Sequence, residues 1–387
     1  MDGFDSLIGG LALLVGVGLS FAYRSVFLII IAFIFSYPLF HLYYLYTGGD
    51  PVRIVDVVGM KYYSSYLKEA FYGYFLCVLI FHSVLLSIRH KKLLIARTYT
   101  LTPVLLYSLI VLLLFMSVIS YPWLFGLAAR REMLLPGNGW VSIYIGTYLI
   151  LLLSQNSNST ILKSILFILP LYFIVSGERV NNMLYVVLLV GLVGGREVNL
   201  DAKRKGIFAL AGGLVLLLGY VAGNLRGGGD ALSLDFFYVF NYITVIESLH
   251  VYLSSFWYVD NIGNDSSVLL SMIYSFIPFH SNGGAGSPYF FENIIASEVS
   301  TVGGGMFVTE GYLAFGLVGL CLWSLVSALL IKKCFISESI FLNSIFVVIF
   351  ALAFRFFWYG WEYIITPVYV MFLYLLVFFS IGKKSHA

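Results

Sequence analysis

The chain has 387 residues, 60% of them hydrophobic and only 11% charged, with a net charge of +3 and a mean hydropathy of +0.95. That little charge excludes a water-soluble globular domain of this length. Apolar runs of about 17 to 25 residues, each able to cross the ~30 Å hydrocarbon layer as a helix, recur along the whole chain. In chain order they predict eleven spans, within a range of ten to twelve: roughly 6–23, 26–46, 70–88, 99–120, 139–155, 161–177, 181–195, 206–224, 307–331, 338–354 and 365–382. The expected fold class is an all-α polytopic integral membrane protein.

Orientation follows from the basic residues. Arg24; Arg89, Lys91, Lys92 and Arg97; Arg196, Lys203, Arg204 and Lys205; Lys332 and Lys333; and Lys383 and Lys384 fall in alternate gaps. The positive-inside rule makes those gaps cytoplasmic, and Lys163 falls on the same side. Of the acids, Glu197, Asp201 and Glu338 lie inside and the other 16 outside. The N-terminus is then external and the C-terminus cytoplasmic. Residues 1–22 lack a basic n-region and carry Asp2 and Asp5, so the first helix is expected to be retained rather than cleaved as a signal peptide.

Between spans eight and nine lies a large external loop, about 225–306. Within it, 236–258 is long enough to cross. However, Asn241, Thr244, Ser248 and Ser255 recur at helical spacing, and the gap that follows carries Asp260 and Asp265 without a Lys or Arg. That pattern suits a helix lying in the interface. Residues 267–279 are apolar but too few to cross, and they read as a membrane-dipping or interfacial segment. Cys77, Cys321 and Cys334 set no disulfide framework. The gaps are too short for a separate soluble domain, so residues 1–387 are expected to form a single membrane domain.

The external cations differ in kind from the internal ones. Inside are nine Lys and five Arg; outside are two Lys and six Arg. The planar guanidinium is the better partner for phosphate and is never neutral. Arg130, Arg131, Arg179, Arg226 and Arg355 lie near the outer ends of spans, at similar depth, where an anionic headgroup such as a lipid-linked pyrophosphate is the natural ligand. Snorkelling of the same arginines to ordinary phospholipids is the alternative. Acid–base candidates on that face are Glu178, Glu310, Glu362, His280, Glu292, Glu298 and Asp230. Glu310 opens span nine, where a carboxyl is partly desolvated and suited to act as a general base. His280, in the loop, titrates near neutrality. Glu178 with Arg179, and Arg355 with Glu362, also read as structural ion pairs.

Three glycine clusters mark the loop: 227–229, 283–286 and 303–305. Glycine admits close backbone approach to a ligand, and consecutive amides cradle anions, but the same clusters serve as plain linkers. There is no G-x-x-x-x-G-K-[ST]. Glu247-Ser-Leu-His250 has the Glu-x-x-His spacing of carboxylate-bridged iron sites without the second copy that such sites need. No metal and no cofactor are expected. His41 and His82 fall within spans and read as packed. The run Phe356-Phe-Trp-Tyr-Gly-Trp-Glu-Tyr363, with Trp257, Tyr258, Tyr289, Phe290 and Phe291, is mostly accounted for by the aromatic belt at the membrane surface.

This order of features resembles the O-antigen polymerase (Wzy) family of repeat-unit polysaccharide polymerases. These are polytopic proteins with a large periplasmic loop, functional external arginines, and a Gly-rich stretch leading into G-E-x-Y-x-N-F-G. Here that part reads Thr309-Glu310-Gly311-Tyr312-Leu313-Ala314-Phe315-Gly316, keeping the Glu, the aromatic, the Phe and the Gly, with Ala314 where Asn is common. Ser176-Gly177-Glu178-Arg179 is similar to the family's small-residue step into an Arg at a helix junction.

The resemblance implies a glycosyltransferase-C-like helical bundle shared with O-antigen ligases, in a bacterial inner membrane, with loop helices roofing the site. It implies metal-independent glycosyl transfer on the periplasmic face between undecaprenyl-pyrophosphate-linked oligosaccharides. The arginines would hold the pyrophosphates, and Glu310 or His280 would deprotonate the acceptor hydroxyl, with Glu178 and Glu362 as further candidates. Expected partners are the lipid-linked oligosaccharides, the bilayer, a chain-length regulator and a flippase, and no nucleic acid. An O-antigen ligase or a lipid-linked oligosaccharide flippase is the alternative reading.

Overall fold

The computed structural model describes residues 3–47, 64–91, 245–277, 287–299 and 305–381, together with a few residues between 93 and 111 and the pair 383–384. Of the expected spans, 139–155, 161–177, 181–195 and 206–224 and nearly all of 99–120 lie outside the described residues. In chain order the helices are α1 (Gly3–Leu19), α2 (Val26–Ser36), α3 (Pro38–Tyr46), α4 (Leu67–Leu86), α5 (Val245–Asn261), α6 (Val268–Ser275), α7 (Phe291–Ala296), α8 (Phe307–Ile336), α9 (Ile340–Ala351), α10 (Ala353–Tyr359) and α11 (Glu362–Ile381). The other pairing among the described residues is a two-residue antiparallel contact, Tyr99–Thr100 with Lys383–Lys384. Val26–Tyr46, Leu67–Leu86 and Phe307–Ile336 are long and apolar enough to cross a membrane, and α9 with α10 adds a fourth if the bent pair is one span. This is a helical membrane protein.

The chain divides into two compact units. The first comprises residues 1–92, 233–336 and 352–363; the second comprises 93–232, 337–351 and 364–387. In the second unit the described structure is α9, most of α11 and the short strand pair. There Phe341 meets Phe372 edge to face, with ring centroids 5.9 Å apart.

The first unit holds everything else. Pro38 opens α3 directly behind α2; lacking an N–H it breaks the ladder there, and the two helices run on as one kinked stretch. An aromatic hub fills the centre. Phe35 of α2 stacks on Phe81 of α4 at 4.0 Å and meets Phe357 at 5.1 Å and Phe307 at 5.6 Å. One cluster of buried polar groups in this body is matched within itself. His82 of α4 has both ring nitrogens bonded, to the Tyr23 hydroxyl at 2.8 Å and the Ser36 hydroxyl at 2.9 Å, and Ser20 donates to Ser36 at 3.3 Å. His82 is therefore packed, as its place in a span suggests, and it ties the end of α1 to α2 and α4.

α5 differs from the expected interfacial helix. Ser248, Leu249, His250, Val251, Tyr252, Leu253, Ser254, Ser255 and Phe256 are all buried, so both faces are covered. Its hydroxyls bond to carbonyls instead of water: Ser248 donates to Trp358 at 2.7 Å and Ser255 to Tyr252 at 2.6 Å. At Ser248 and Ser255, the described half of the polar stripe, the spacing is internal hydrogen bonding; Asn241 and Thr244 lie outside the described residues. Part of the aromatic set departs in the same way: Phe356, Phe357 and Trp358 are core residues, as are Phe290 and Phe291, whereas Tyr359, Trp361 and Tyr363 are half-buried.

The largest departure is in α8. It is expected to run straight from residue 307 to 331, but Phe315 (φ −141°, ψ 18°) and Gly316 (φ 59°, ψ −143°) leave the helical region. Trp323 Nε1 donates to Glu310 Oε2 at 3.0 Å. Residues 13 apart on a straight α-helix are separated by ~20 Å along the axis, so the chain must reverse between them. α8 is a hairpin with a short arm (307–314), an elbow and a long arm (317–336), the long arm alone spanning ~30 Å. Glycines permit the closure: a Cβ on Gly319 would stand 1.8 Å from the Gly311 carbonyl oxygen, and one on Gly311 would stand 2.5 Å from that of Gly319. The elbow is closed by residues before α6, since the Asp265 amide and the Asn264 side chain both donate to the Leu313 carbonyl, at 2.9 and 3.3 Å.

Gly319→Ala is expected to force the two arms apart at a loss of about 1–3 kcal/mol. Gly18→Ala, with nothing within 4 Å of the added atom, is expected to gain roughly 0.5–1 kcal/mol because alanine is the better helix former. Unfolding of the detergent-solubilised protein measures both. Equal effects from the two substitutions would show that the arms do not touch.

Candidate functional site

Folding α8 back on itself carries Glu310 into the first unit, where it meets Glu362. Glu310 is 2% exposed and Glu362 6% exposed, and both are acids in an apolar body. Between them stands Gly360, the residue that turns the chain from α10 into α11 at φ +110°. A Cβ there would lie 2.6 Å from Glu310 Oε1 and 2.9 Å from Glu362 Oε2. Those two oxygens have no N–H or O–H partner among the described residues.

The remaining oxygens are supplied by donors from two directions. Trp323, on the long arm of α8, donates its indole N–H to Glu310 Oε2. Ser271 of α6 donates to Glu362 Oε1 at 3.1 Å. Glu362 also stands at the first position of α11, where carboxylates are favoured by the orphan amides of the helix N-terminus. Two side-chain donors and a glycine with no room for a side chain thus hold two acids together.

The surroundings are fixed by packing. Gly305, last of the third glycine cluster, would place a Cβ 2.0 Å from Phe291 Cε2, and its amide donates to the Trp358 carbonyl at 3.1 Å. At this glycine the cluster serves close packing, and the amide is turned to protein rather than to an anion. Ser248 donates to the same Trp358 carbonyl, so α5, α10 and the strand of chain entering α8 converge on one oxygen. Arg355, on α10, lies over the Tyr363 ring at 5.7 Å from the centroid. Glu362 Oε1 accepts from Ser271, and its Oε2 faces the same glycine as Glu310 Oε1. At the far ends of α4 and α5, Tyr66 donates to Asp260, a bond that raises the tyrosine hydroxyl above its ordinary range.

Of the nine site residues expected from the sequence, the structure describes Glu310, Glu362 and Arg355, all in the first unit. Glu178, His280, Arg130, Arg131, Arg179 and Arg226 lie outside the described residues. Sequence reasoning missed Trp323, Ser271 and Gly360. A hydrogen bond between residues 310 and 323 is invisible if the helix is taken as straight, and the one clue was the Phe315-Gly316 step itself.

Gly360→Ala is expected to lose about 1–3 kcal/mol, from positive φ and from a methyl group wedged between the carboxyls. Trp323→Phe keeps the ring but removes the donor, and is expected to lose about 1–3 kcal/mol by stranding a buried carboxyl oxygen. Denaturation in detergent measures both, and an unchanged midpoint for either would contradict the arrangement.

No protein-family model matches the chain, and neither a curated protein nor a solved structure is significantly similar to it.

Proposed function

We propose that the chain polymerises lipid-linked oligosaccharide repeat units at the periplasmic face of a bacterial inner membrane, as an O-antigen polymerase. The growing glycan passes from undecaprenyl pyrophosphate to an incoming repeat unit. The observation that carries this reading is the place of the segment resembling the family motif. Thr309 to Gly316 is the short arm and elbow of α8, and its Glu310 is the residue brought against a second buried acid. A carboxyl pair in a site of low dielectric is suited to take a proton from an attacking hydroxyl.

In this reading Arg130, Arg131, Arg179, Arg226 and Arg355 hold the pyrophosphates and neutralise the charge that develops as the sugar–phosphate bond breaks. Glu310 with Glu362 accepts the acceptor's proton; His280 and Glu178 are the alternative bases. Because nucleotide sugars are lacking on that face, the leaving group arrives on a lipid, and no metal is required.

A second reading, export of the lipid-linked repeat unit, is favoured by one observation. Helices broken within the membrane and buried carboxyls are the parts from which transporters build substrate and ion sites, and α8 has the break while Glu310 and Glu362 are the carboxyls.

A glycan gel of the envelope separates these. Deletion of the gene is expected to leave surface core carrying a single repeat unit. The ladder should return with the wild-type chain and fail to return with Glu310→Gln that inserts at normal level. Core without any repeat unit, with long lipid-linked polymer accumulating, would instead mean ligation. Undecorated core without polymer would mean export.

A further inference from the structure

We infer that Glu310 and Glu362 form one proton-binding site, a carboxyl pair that holds a single proton between Glu310 Oε1 and Glu362 Oε2. An ionised carboxylate only accepts hydrogen bonds, so two ionised oxygens cannot bond to each other. Here the two oxygens flank the same glycine, within 2.6 and 2.9 Å of its Cβ position, and lack any N–H or O–H partner among the described residues. Buried acceptors are rarely left so. One proton answers both: the protonated acid donates to the ionised one, and the pair carries a charge of −1.

The other contacts fit that count. Trp323 Nε1–H serves Glu310 Oε2, while the Ser271 hydroxyl serves Glu362 Oε1. Each acid thus has one fixed side-chain donor, enough to stabilise one negative charge on the pair but not two. The titratable and charged groups facing the pair are few among the described residues. Tyr363 is beside Glu362, and Arg355 and Glu292 act on Tyr363 in turn. Gly360 holds the site closed, since any side chain there would separate the two oxygens.

This inference stands apart from the glycan reading. If that reading holds, the pair is the resident base. The acceptor O–H bond breaks and its proton joins the pair, which goes from one proton to two. The acceptor oxygen forms the new bond to the sugar carbon, while the bond from that carbon to the pyrophosphate oxygen breaks and the pyrophosphate leaves with its electron pair.

Infrared spectroscopy of the purified full-length protein at neutral pH tests the site without reference to polymer. A carbonyl band of a protonated carboxyl is expected, shifting when glutamate is labelled with ¹³C. It should vanish in Glu310→Gln and also in Glu362→Gln, because either amide supplies the donor and leaves the remaining acid ionised. No such band in the wild-type protein would overturn the proposal, and this outcome needs no variant to fold. A band that survives at reduced strength in each single variant would also overturn it, since the two acids would then be protonated independently. The glycan gel reads a different quantity, so a band without polymer loss in Glu310→Gln would retain the proton site and remove the catalytic reading.

Discussion

Two glycine backbones touching across a bent helix, Gly311 against Gly319, is the contact on which the arrangement of the first unit rests. Without it α8 is straight, Glu310 and Trp323 are ~20 Å apart, and no acid reaches Glu362. With it, the short arm packs against the long one and the carbonyl that ends it, at Leu313, is taken up by Asn264 and Asp265. Capping matters more here than in water. An unmet carbonyl in hydrocarbon costs several kcal/mol, with no solvent to repair it. The break in α8 is tolerated because neighbouring protein answers the groups it releases.

The same constraint ranks the other interactions. Lipid tails are as apolar as the aromatic hub, so Phe35, Phe81, Phe307 and Phe357 gain little from leaving lipid and mainly gain shape-matched packing. Interhelical hydrogen bonds in membranes add about 1–2 kcal/mol at most, yet leaving their partners unmet is far more costly. His82 with Tyr23 and Ser36, Ser248 with Trp358, and Ser271 with Glu362 therefore select one packing among many equally greasy ones. The hub supplies contact, and the polar pairs supply register.

Much of this was legible in the sequence, and the misses have physical causes. Apolar length located α2 with α3, α4 and α11, because length and hydropathy are what a bilayer selects. Within residues 267–279, too short to cross, Val268–Ser275 forms the short helix α6. Glu310 and Glu362 are legible as acid–base candidates on the outer face. Their partnership was not legible, since hydropathy is indifferent to direction and a hairpin of 30 apolar residues reads the same as a rod. α5 misled for a related reason: serines bonded to buried carbonyls and serines wetted at an interface leave the same periodicity. The aromatic run at 356–363 was taken for a surface belt because sequence does not distinguish an interface from a core that is itself aromatic.

The motif resemblance and the carboxyl geometry both pass through the elbow of α8. A covalent ruler tests that elbow most directly. Cysteines are placed at positions 310 and 323 in a chain whose Cys77, Cys321 and Cys334 are changed to serine. The chain is then treated, in membranes, with a dithiol-reactive linker far shorter than the ~20 Å that separates such positions on a straight helix. Efficient intramolecular linkage is the expected result. Two thiols that each react with a monofunctional reagent but are not joined by the short linker would mean that α8 is straight, and the carboxyl pair would fall with it.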